Sequence, residues 1–219
     1  MIEEQLREAA KADEQTREQI IHELASSPDA TLDTLINILR FGSKGLENIT
    51  LSVVQAIGYP RNVSALPALI DLVGMPNNPG WTFTLQILLD MEPGVVIPAL
   101  IQRLLDRGRS MAYWTETTEG ICMMLAGKHT SQEYALKCGP TLAYLLAQED
   151  LVRERALDFG YLLDVFAKIG TDGASYALPA LITLVERERT SDIGRQAQEL
   201  IALFSEEALA PYKGLLHRA

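Results

Sequence analysis

A short block, Pro-Ala-Leu-Ile, recurs along the chain and constrains its fold more than any other feature of the sequence. Three copies are complete, and weaker versions begin at Pro140 and Pro211, while Asp33-Thr34-Leu35-Ile36 extends the series toward the N-terminus. Consecutive blocks are separated by 31 to 42 residues, with starts at residues 33, 67, 98, 140, 179 and 211. A recurring unit of this length is typical of a solenoid, in which each unit buries its apolar face against its neighbours.

Apolar periodicity predicts two helices in each repeat. The first helix carries the block, and we expect its proline in the first turn, where the missing N–H would have no intrahelical partner. The second helix begins about fourteen residues after the proline and presents a narrow apolar seam, for example Ile193, Ala197, Leu200 and Phe204. Because the period-two alternation of strands is absent, the sequence predicts an all-α protein.

Helix-stopping residues predict the boundaries of these helices. Gly42 and Gly45 separate the two helices of the first complete repeat, and Gly127 and Gly139 flank a longer link. Three segments are expected to close second helices: Gly58-Tyr59-Pro60, Glu92-Pro93-Gly94 and Gly170-Thr171-Asp172-Gly173. Asp29 and Ser191 are predicted N-caps. The expected organisation is a single array over 1–219, with N-terminal capping helices in 1–27, repeats in 30–204 and a C-terminal capping helix in 206–219.

The charge of the chain is evenly acidic. The net charge is −10, and residues 1–110 (14 acidic, 9 basic) and 111–219 (15 acidic, 10 basic) each contribute −5. Such a chain is repelled by phosphate backbones and anionic lipid, so neither nucleic acid nor a membrane is an expected partner. The acidic N-terminus does not resemble a signal peptide, and no stretch approaches the ~18–20 apolar residues of a membrane span. With two cysteines, Cys122 and Cys138, predicted to be reduced thiols near the core, the expected location is cytoplasmic.

Two segments carry a second repeating element. Val152-Arg153-Glu154-Arg155-Ala156 matches a Val-Arg-x-x-Ala pattern in full, and Ile193-Gly194-Arg195-Gln196-Ala197 matches it without the first arginine. With the proline-led blocks, these features resemble the HEAT-repeat family over roughly residues 30–219. The resemblance implies an armadillo-like, right-handed α–α superhelix of about five to six helix pairs. It also implies a non-catalytic protein-interaction module or scaffold that binds a protein partner on a concave face lined by the second helices.

Two tryptophans near the starts of second helices are the most informative large side chains. Trp114, with Tyr113 beside it, would stack on a ligand or anchor a partner peptide, because aromatic side chains dominate binding hot spots. Alternatively, Trp114 and Trp81 fill the apolar seam at the positions that Val152 and Ile193 occupy in other repeats.

Charged residues complete the predicted binding surface. Glu116 and Glu119 share a helix face and would receive a basic partner segment, unless that face is only solvated. Arg155 and Asp158 form either a concave charge cluster or pairs within and between helices. The predicted partner-binding residues are therefore Tyr113, Trp114, Glu116, Glu119, Arg155 and Asp158.

No catalytic pattern stands out in the sequence. There is no G-x-S-x-G elbow, no phosphate-binding glycine loop and no Cys/His cluster, so no metal or cofactor is predicted. His22-Glu23 is a single His-Glu pair, whereas the iron-binding hydroxylases built from HEAT repeats use several such pairs. A HEAT-like enzyme remains the alternative, either bilin lyase-like or alkylated-DNA glycosylase-like. These glycosylases use aromatic side chains together with an acidic residue, and Tyr113, Trp114 and Glu116 resemble such a set. A homodimer formed through an exposed end of the array is compatible with either hypothesis.

Overall fold

A computed structural model describes residues 1–43, 45–75, 77–104, 111–126, 131–147 and 159–216. All regular secondary structure in these ranges is helical, and none of their residues lies in a strand. The prediction of an all-α protein is therefore confirmed. The chain divides into two compact units, which comprise Met1–Thr117 and Thr118–Ala219.

Unit 1, Met1–Thr117, contains seven complete described helices, joined mostly by short turns. They are α1 (Ile2–Ala9), α2 (Glu14–Ser26), α3 (Pro28–Phe41), α4 (Glu47–Ile57), α5 (Leu66–Val73), α6 (Trp81–Leu89) and α7 (Pro93–Leu104). A 3-10 turn, Val63–Ala65, leads into α5. The boundary between the two units falls within the next helix, α8 (Met111–Ala126).

Unit 2, Thr118–Ala219, contains the remaining described helices. They are α9 (Gln132–Leu146), α10 (Phe159–Ala174), α11 (Leu178–Arg187), α12 (Asp192–Ile201), α13 (Glu206–Leu209) and α14 (Lys213–Leu216). Helix α10 is interrupted at Gly170, whose φ of 68° and ψ of −173° are not helical. The segment 206–216, predicted as part of one capping helix, instead forms two short helices around a 3-10 turn that contains Pro211.

Helices two apart in the chain pack against each other in both units. In unit 1, α2 contacts α4 and α4 contacts α6, while α3 contacts α5 and α5 contacts α7. In unit 2, α9 contacts α11 and α10 contacts α12. Each unit also pairs consecutive helices, such as α3 with α4 and α11 with α12. The core consists of the apolar faces predicted from the 3.6-residue period, including the buried side chains of Leu35, Leu69, Leu181 and Leu200.

Several predicted boundaries are confirmed. Gly42 and Gly58 follow the last residues of α3 and α4 with φ of 74° and 69°, a left-handed conformation that glycine adopts without a Cβ penalty. Ser191 caps α12, since its hydroxyl accepts a hydrogen bond from the Gly194 N–H at 3.2 Å. Asp13, which was not among the predicted N-caps, caps α2, since its carboxylate accepts a hydrogen bond from the Thr16 N–H. This hydrogen bond lowers the pKa of Asp13.

The position of the block proline was predicted correctly in two of the four long helices that contain it. Pro67 and Pro179 stand in the first turn of α5 and α11. Pro98 and Pro140 lie inside α7 and α9, where a proline lacks an N–H and its ring crowds the carbonyl four residues earlier. The prediction of a first-turn proline is therefore wrong for α7 and α9.

Local and tertiary interactions extend these two helices toward the N-terminus. Helix α7 starts at Pro93, and its first two turns bury Val96 and Ile97, which offsets the cost of the interior proline. Helix α9 starts after Ser131, whose hydroxyl accepts a hydrogen bond from the Tyr134 N–H at 3.2 Å. The predicted role of Pro93-Gly94 in closing α6 is also wrong, because α6 already ends at Leu89.

Two further details differ from the prediction. Asp29 is not an N-cap, because α3 begins at Pro28, whose fixed φ suits the first helical position, and Ser27 precedes it. Gly139 does not flank a link but lies inside α9. Both Cys122 and Cys138 are buried thiols, as expected.

Candidate functional site

Most of the six predicted partner-binding residues have no described side chain. Arg155 and Asp158 lie outside the described residues. Tyr113, Trp114 and Glu116 lie on α8, whose backbone is described there but whose side chains at these positions are not. Only Glu119 has a described side chain, and it is half-buried. The surface formed by these residues stays a prediction.

Other residues singled out from the sequence have defined surroundings. Trp81 begins α6 and is half-buried, and its indole Nε1 is buried without a hydrogen-bond partner. His22 is exposed on α2, as expected for a surface histidine. Within the described part of the chain, no three His, Cys, Asp or Glu side chains gather in a way that would hold a metal ion.

A groove between α10 and α12 in unit 2 is a candidate interaction surface, because exposed apolar and acidic side chains meet there. Its volume is about 290 Å³, and it combines apolar and acidic side chains. We name it the α10–α12 groove, and its lining residues are Leu163, Asp164, Ala167, Gln196, Glu199, Leu200 and Leu203.

One side of the groove is a single stripe along α12. Gln196, Glu199, Leu200 and Leu203 follow the spacing i, i+3, i+4 and i+7, which places them on one face of a helix. Leu203 lies just beyond the last helical residue, and its N–H donates to the Leu200 carbonyl at 3.2 Å. Leu200 is buried, whereas Leu203 is 63% exposed. The groove thus has a buried apolar floor and an exposed apolar edge.

The other side of the groove is formed by α10. Leu163 is buried in the floor. The carboxylate of Asp164 and the small side chain of Ala167 are exposed. Asp164 and Glu199 therefore line opposite sides of the same groove. Neither carboxylate has an ion-pair partner among the described residues.

The basic residues closest in sequence to these carboxylates are engaged elsewhere. Lys168, one helical turn after Asp164, directs its Nζ to the carbonyl oxygen of Leu125, and burial lowers the pKa of this lysine. Arg195 donates to Asp192 Oδ1 at 2.8 Å. The rim of the groove is consequently acidic, and the nearby C-terminal end of α12 adds the partial negative charge of its last carbonyls.

The chemistry of the groove suits a basic and partly apolar segment. Exposed Leu203 and the floor residues Leu163 and Leu200 offer apolar contact, and Asp164 and Glu199 offer sites for lysine or arginine. The volume is at the lower end of the range of about 300–1,000 Å³ that is usual for small-molecule pockets. It is suited to a few side chains of a larger partner.

Part of the groove was predictable from the sequence, but its mixture of apolar and acidic side chains was not. Leu200 belongs to the predicted apolar seam, so it was assigned to packing. The missed signal is the stripe of Gln196, Glu199, Leu200 and Leu203, whose apolar members continue past the end of the helix. Only the structure shows that Leu203 is left uncovered.

Comparisons of the chain with protein-family models, with curated proteins and with solved structures find no match in any of the three. None of the described helices is both long enough and apolar enough to cross a lipid bilayer.

Proposed function

We propose that this protein is a non-catalytic interaction module that binds a basic, amphipathic segment of a protein partner in the α10–α12 groove. The observation that carries the proposal is the combination around one apolar floor of exposed Leu203 with two carboxylates, Asp164 and Glu199, that have no ion-pair partner in the part of the chain that the structure describes. The net charge of −10 favours the approach of a cationic partner over an anionic one.

We also propose that the helices of each unit are HEAT-like repeats, as the sequence resemblance implies. The support is the contact of α2 to α5, α9 and α10 each with the helix two places further on, which is how stacked helix pairs meet. In this arrangement α10 and α12 are the second helices of neighbouring repeats. The α10–α12 groove then lies on the face that the family uses for partners.

Hydrophobic burial and charge have different roles in this binding mode. Covering most of the Leu203 side chain contributes roughly 1–2 kcal/mol to affinity. The exposed carboxylates act mainly on the rate of association and on the choice of partner, and their contribution falls as salt rises. The partner is expected to present a leucine-like anchor flanked by lysine or arginine. The proposal places the protein in the cytoplasm, where its two buried thiols stay reduced.

A set of model helical peptides tests the proposal. The binding peptide is amphipathic, with leucine on one face and lysine on the other, and it is compared with a version in which glutamate replaces lysine and with a scrambled version of the same composition. We expect fluorescence anisotropy to show binding of the first peptide only, with an affinity that weakens as salt increases. Equal binding of the scrambled peptide would show that net charge alone is responsible.

Matched variants locate the binding site. Leu203→Ser and the pair Asp164→Asn with Glu199→Gln should each weaken binding about tenfold or more, and the pair should also reduce the salt dependence. The controls are Leu215→Ser, an exposed leucine outside the groove, and Glu206→Gln, an exposed carboxylate outside it. The proposal is wrong if the control variants weaken binding as much as the groove variants do.

A further inference from the structure

A second apolar patch lies in unit 1, at the turns that join α3 to α4 and α5 to α6. Phe41, the last residue of α3, is 81% exposed, and Met75, just after α5, is 40% exposed. Each stands eight residues after the start of its block, at residue 33 for Phe41 and at residue 67 for Met75. The two exposed side chains therefore occupy the same position in successive repeats.

These residues border a groove of about 350 Å³. Its floor contains the buried side chains of Leu39, Leu51 and Leu72, so an apolar group that enters it meets apolar surface. The patch therefore combines an uncovered aromatic side chain with a nearby groove that can receive one. We name it the Phe41 patch.

Two opposite charges flank Phe41. Arg40 precedes it on α3, and Glu47 begins α4 across the turn; both line the groove and both are exposed. A methyl group placed on Gly42 would lie 4.0 Å from Glu47 Oε1, so this carboxylate lies beside the Phe41-Gly42 turn. Neither Arg40 nor Glu47 has an ion-pair partner among the residues that the structure describes.

We infer that the Phe41 patch is the surface through which two copies of this chain associate about a two-fold axis. In a two-fold contact the same surface of both copies meets itself, so every contact between two residues occurs twice. A patch with one cation and one anion is therefore complementary to itself. Arg40 of each copy pairs with Glu47 of the other. Phe41 of each copy covers the groove of the other.

The distribution of charge favours this patch for self-association. Each chain carries a net charge of −10, so most pairs of surfaces on two copies repel each other. At physiological salt the screening length is about 8 Å, so the charges within the contact decide whether two copies can meet. Among the described residues that line the groove of the Phe41 patch, the charges of Arg40 and Glu47 cancel, unlike those at the acidic rim of the α10–α12 groove. The dimer uses a different unit and different residues from the proposed partner site.

The first test is the oligomeric state of the full chain. Sedimentation velocity of the wild type from about 1 µM to about 1 mM should show a concentration-dependent shift from monomer to dimer. Phe41→Ser should raise the dissociation constant of the dimer about tenfold or more. Leu203→Ser, which removes an exposed leucine from the α10–α12 groove, is the matched control and should leave dimerisation unchanged. The inference would be overturned if the wild type stays a monomer at every concentration, or if Phe41→Ser dimerises as tightly as the wild type.

Charge exchange tests the two-fold geometry specifically. Arg40→Glu and Glu47→Arg should each abolish dimerisation. In either variant, positions 40 and 47 of opposite copies carry charges of the same sign, and this repulsion occurs at both symmetry-related contacts. A mixture of the two variants should form a heterodimer, and the double variant should dimerise again. If the mixture and the double variant stay monomeric while the wild type dimerises, the two copies do not meet through Arg40 and Glu47. Because Phe41→Ser leaves the α10–α12 groove intact, peptide binding by this variant separates failure of this inference from failure of the proposed function.

Discussion

In the described residues, polar pairs of side chains about one repeat apart lie in unit 1, whereas the closest backbone approaches at glycines lie in unit 2. In unit 1, side chains one repeat apart form polar contacts: Arg103 Nε donates to Asp71 Oδ1 at 2.8 Å across 32 residues, and the Tyr59 hydroxyl donates to Glu92 Oε2 at 3.0 Å across 33 residues. In unit 2, backbone segments approach closely at glycines. A Cβ on Gly139 would lie 2.7 Å from the Gly173 carbonyl oxygen.

The difference determines how each unit responds to substitution. A polar contact between long side chains at the surface can be lost while the helices stay in place, so its removal costs a modest and salt-dependent amount. A close backbone approach leaves no room for even one methyl group, and the backbone must move to admit it. Unit 2 is therefore expected to be sensitive to small changes of volume, and unit 1 to changes of charge and hydrogen bonding.

The largest effect is expected at Gly194 in α12. A Cβ there would lie 2.0 Å from the carbonyl oxygen of Glu188, a backbone atom that cannot rotate away. We expect Gly194→Ala to lower the free energy of unfolding by about 3 kcal/mol, despite the better helix propensity of alanine. Urea unfolding followed by circular dichroism measures the change.

The control for this substitution is Gly214→Ala, in α14 of the same unit. A Cβ at Gly214 meets nothing within 4 Å, so this variant should differ from wild type by no more than about 0.5 kcal/mol. If the two variants are equally stable, the close approach at Gly194 does not constrain unit 2.

An intermediate effect is expected at the ion pair of unit 1. The side chains of Arg103 and Asp71 are 32% and 25% exposed, so Arg103→Met removes this contact from a largely covered carboxylate. We expect a loss of about 1–2 kcal/mol in urea unfolding. A double-mutant cycle with Asp71→Asn should give a coupling energy of about 1 kcal/mol that shrinks as salt rises. Additive losses would mean that the contact does not hold α5 and α7 together.

The smallest effect on stability is expected at Tyr59, and it depends on pH. The hydrogen bond to Glu92 raises the pKa of Tyr59, since ionisation would place two negative charges side by side. A raised pKa in the folded state means that this stabilisation is complete below about pH 10 and is lost as pH rises through the folded value. Ultraviolet difference titration of wild type against Tyr59→Phe should show that the tyrosine lost in the variant ionises above the ordinary range. Ionisation of Tyr59 at its usual pKa would contradict the contact.

Local periodicity predicted the helices better than it predicted their ends. The seam residues Ala197 and Leu200 are buried in α12 as their spacing indicates, because one face of a helix needs only a 3.6-residue period to be recognised. The start of α7 was not predictable in this way. Burial of Val96 and Ile97 outweighs the penalty of Pro98, and burial depends on residues elsewhere in the chain.

The candidate site was less predictable than the fold for the same physical reason. Spacing shows which side chains share a helix face, but not whether another element covers that face, so Leu203 could not be distinguished from a core leucine. The acidic rim also depends on a distant contact, because Lys168 reaches a carbonyl 43 residues away at Leu125 instead of neutralising Asp164. Likewise, glycine in the sequence indicated helix breaks, whereas Gly139 lies within α9 and permits a close approach.

The burial of both native cysteines makes the chain convenient for site-specific labelling. Only the thiolate reacts readily with maleimides, and burial raises the pKa of the Cys138 thiol as well as shielding it. A cysteine introduced at an exposed position such as 203 or 41 would therefore react far faster than the two wild-type thiols. A single dye or spin label can thus be attached at either surface without first removing Cys122 and Cys138.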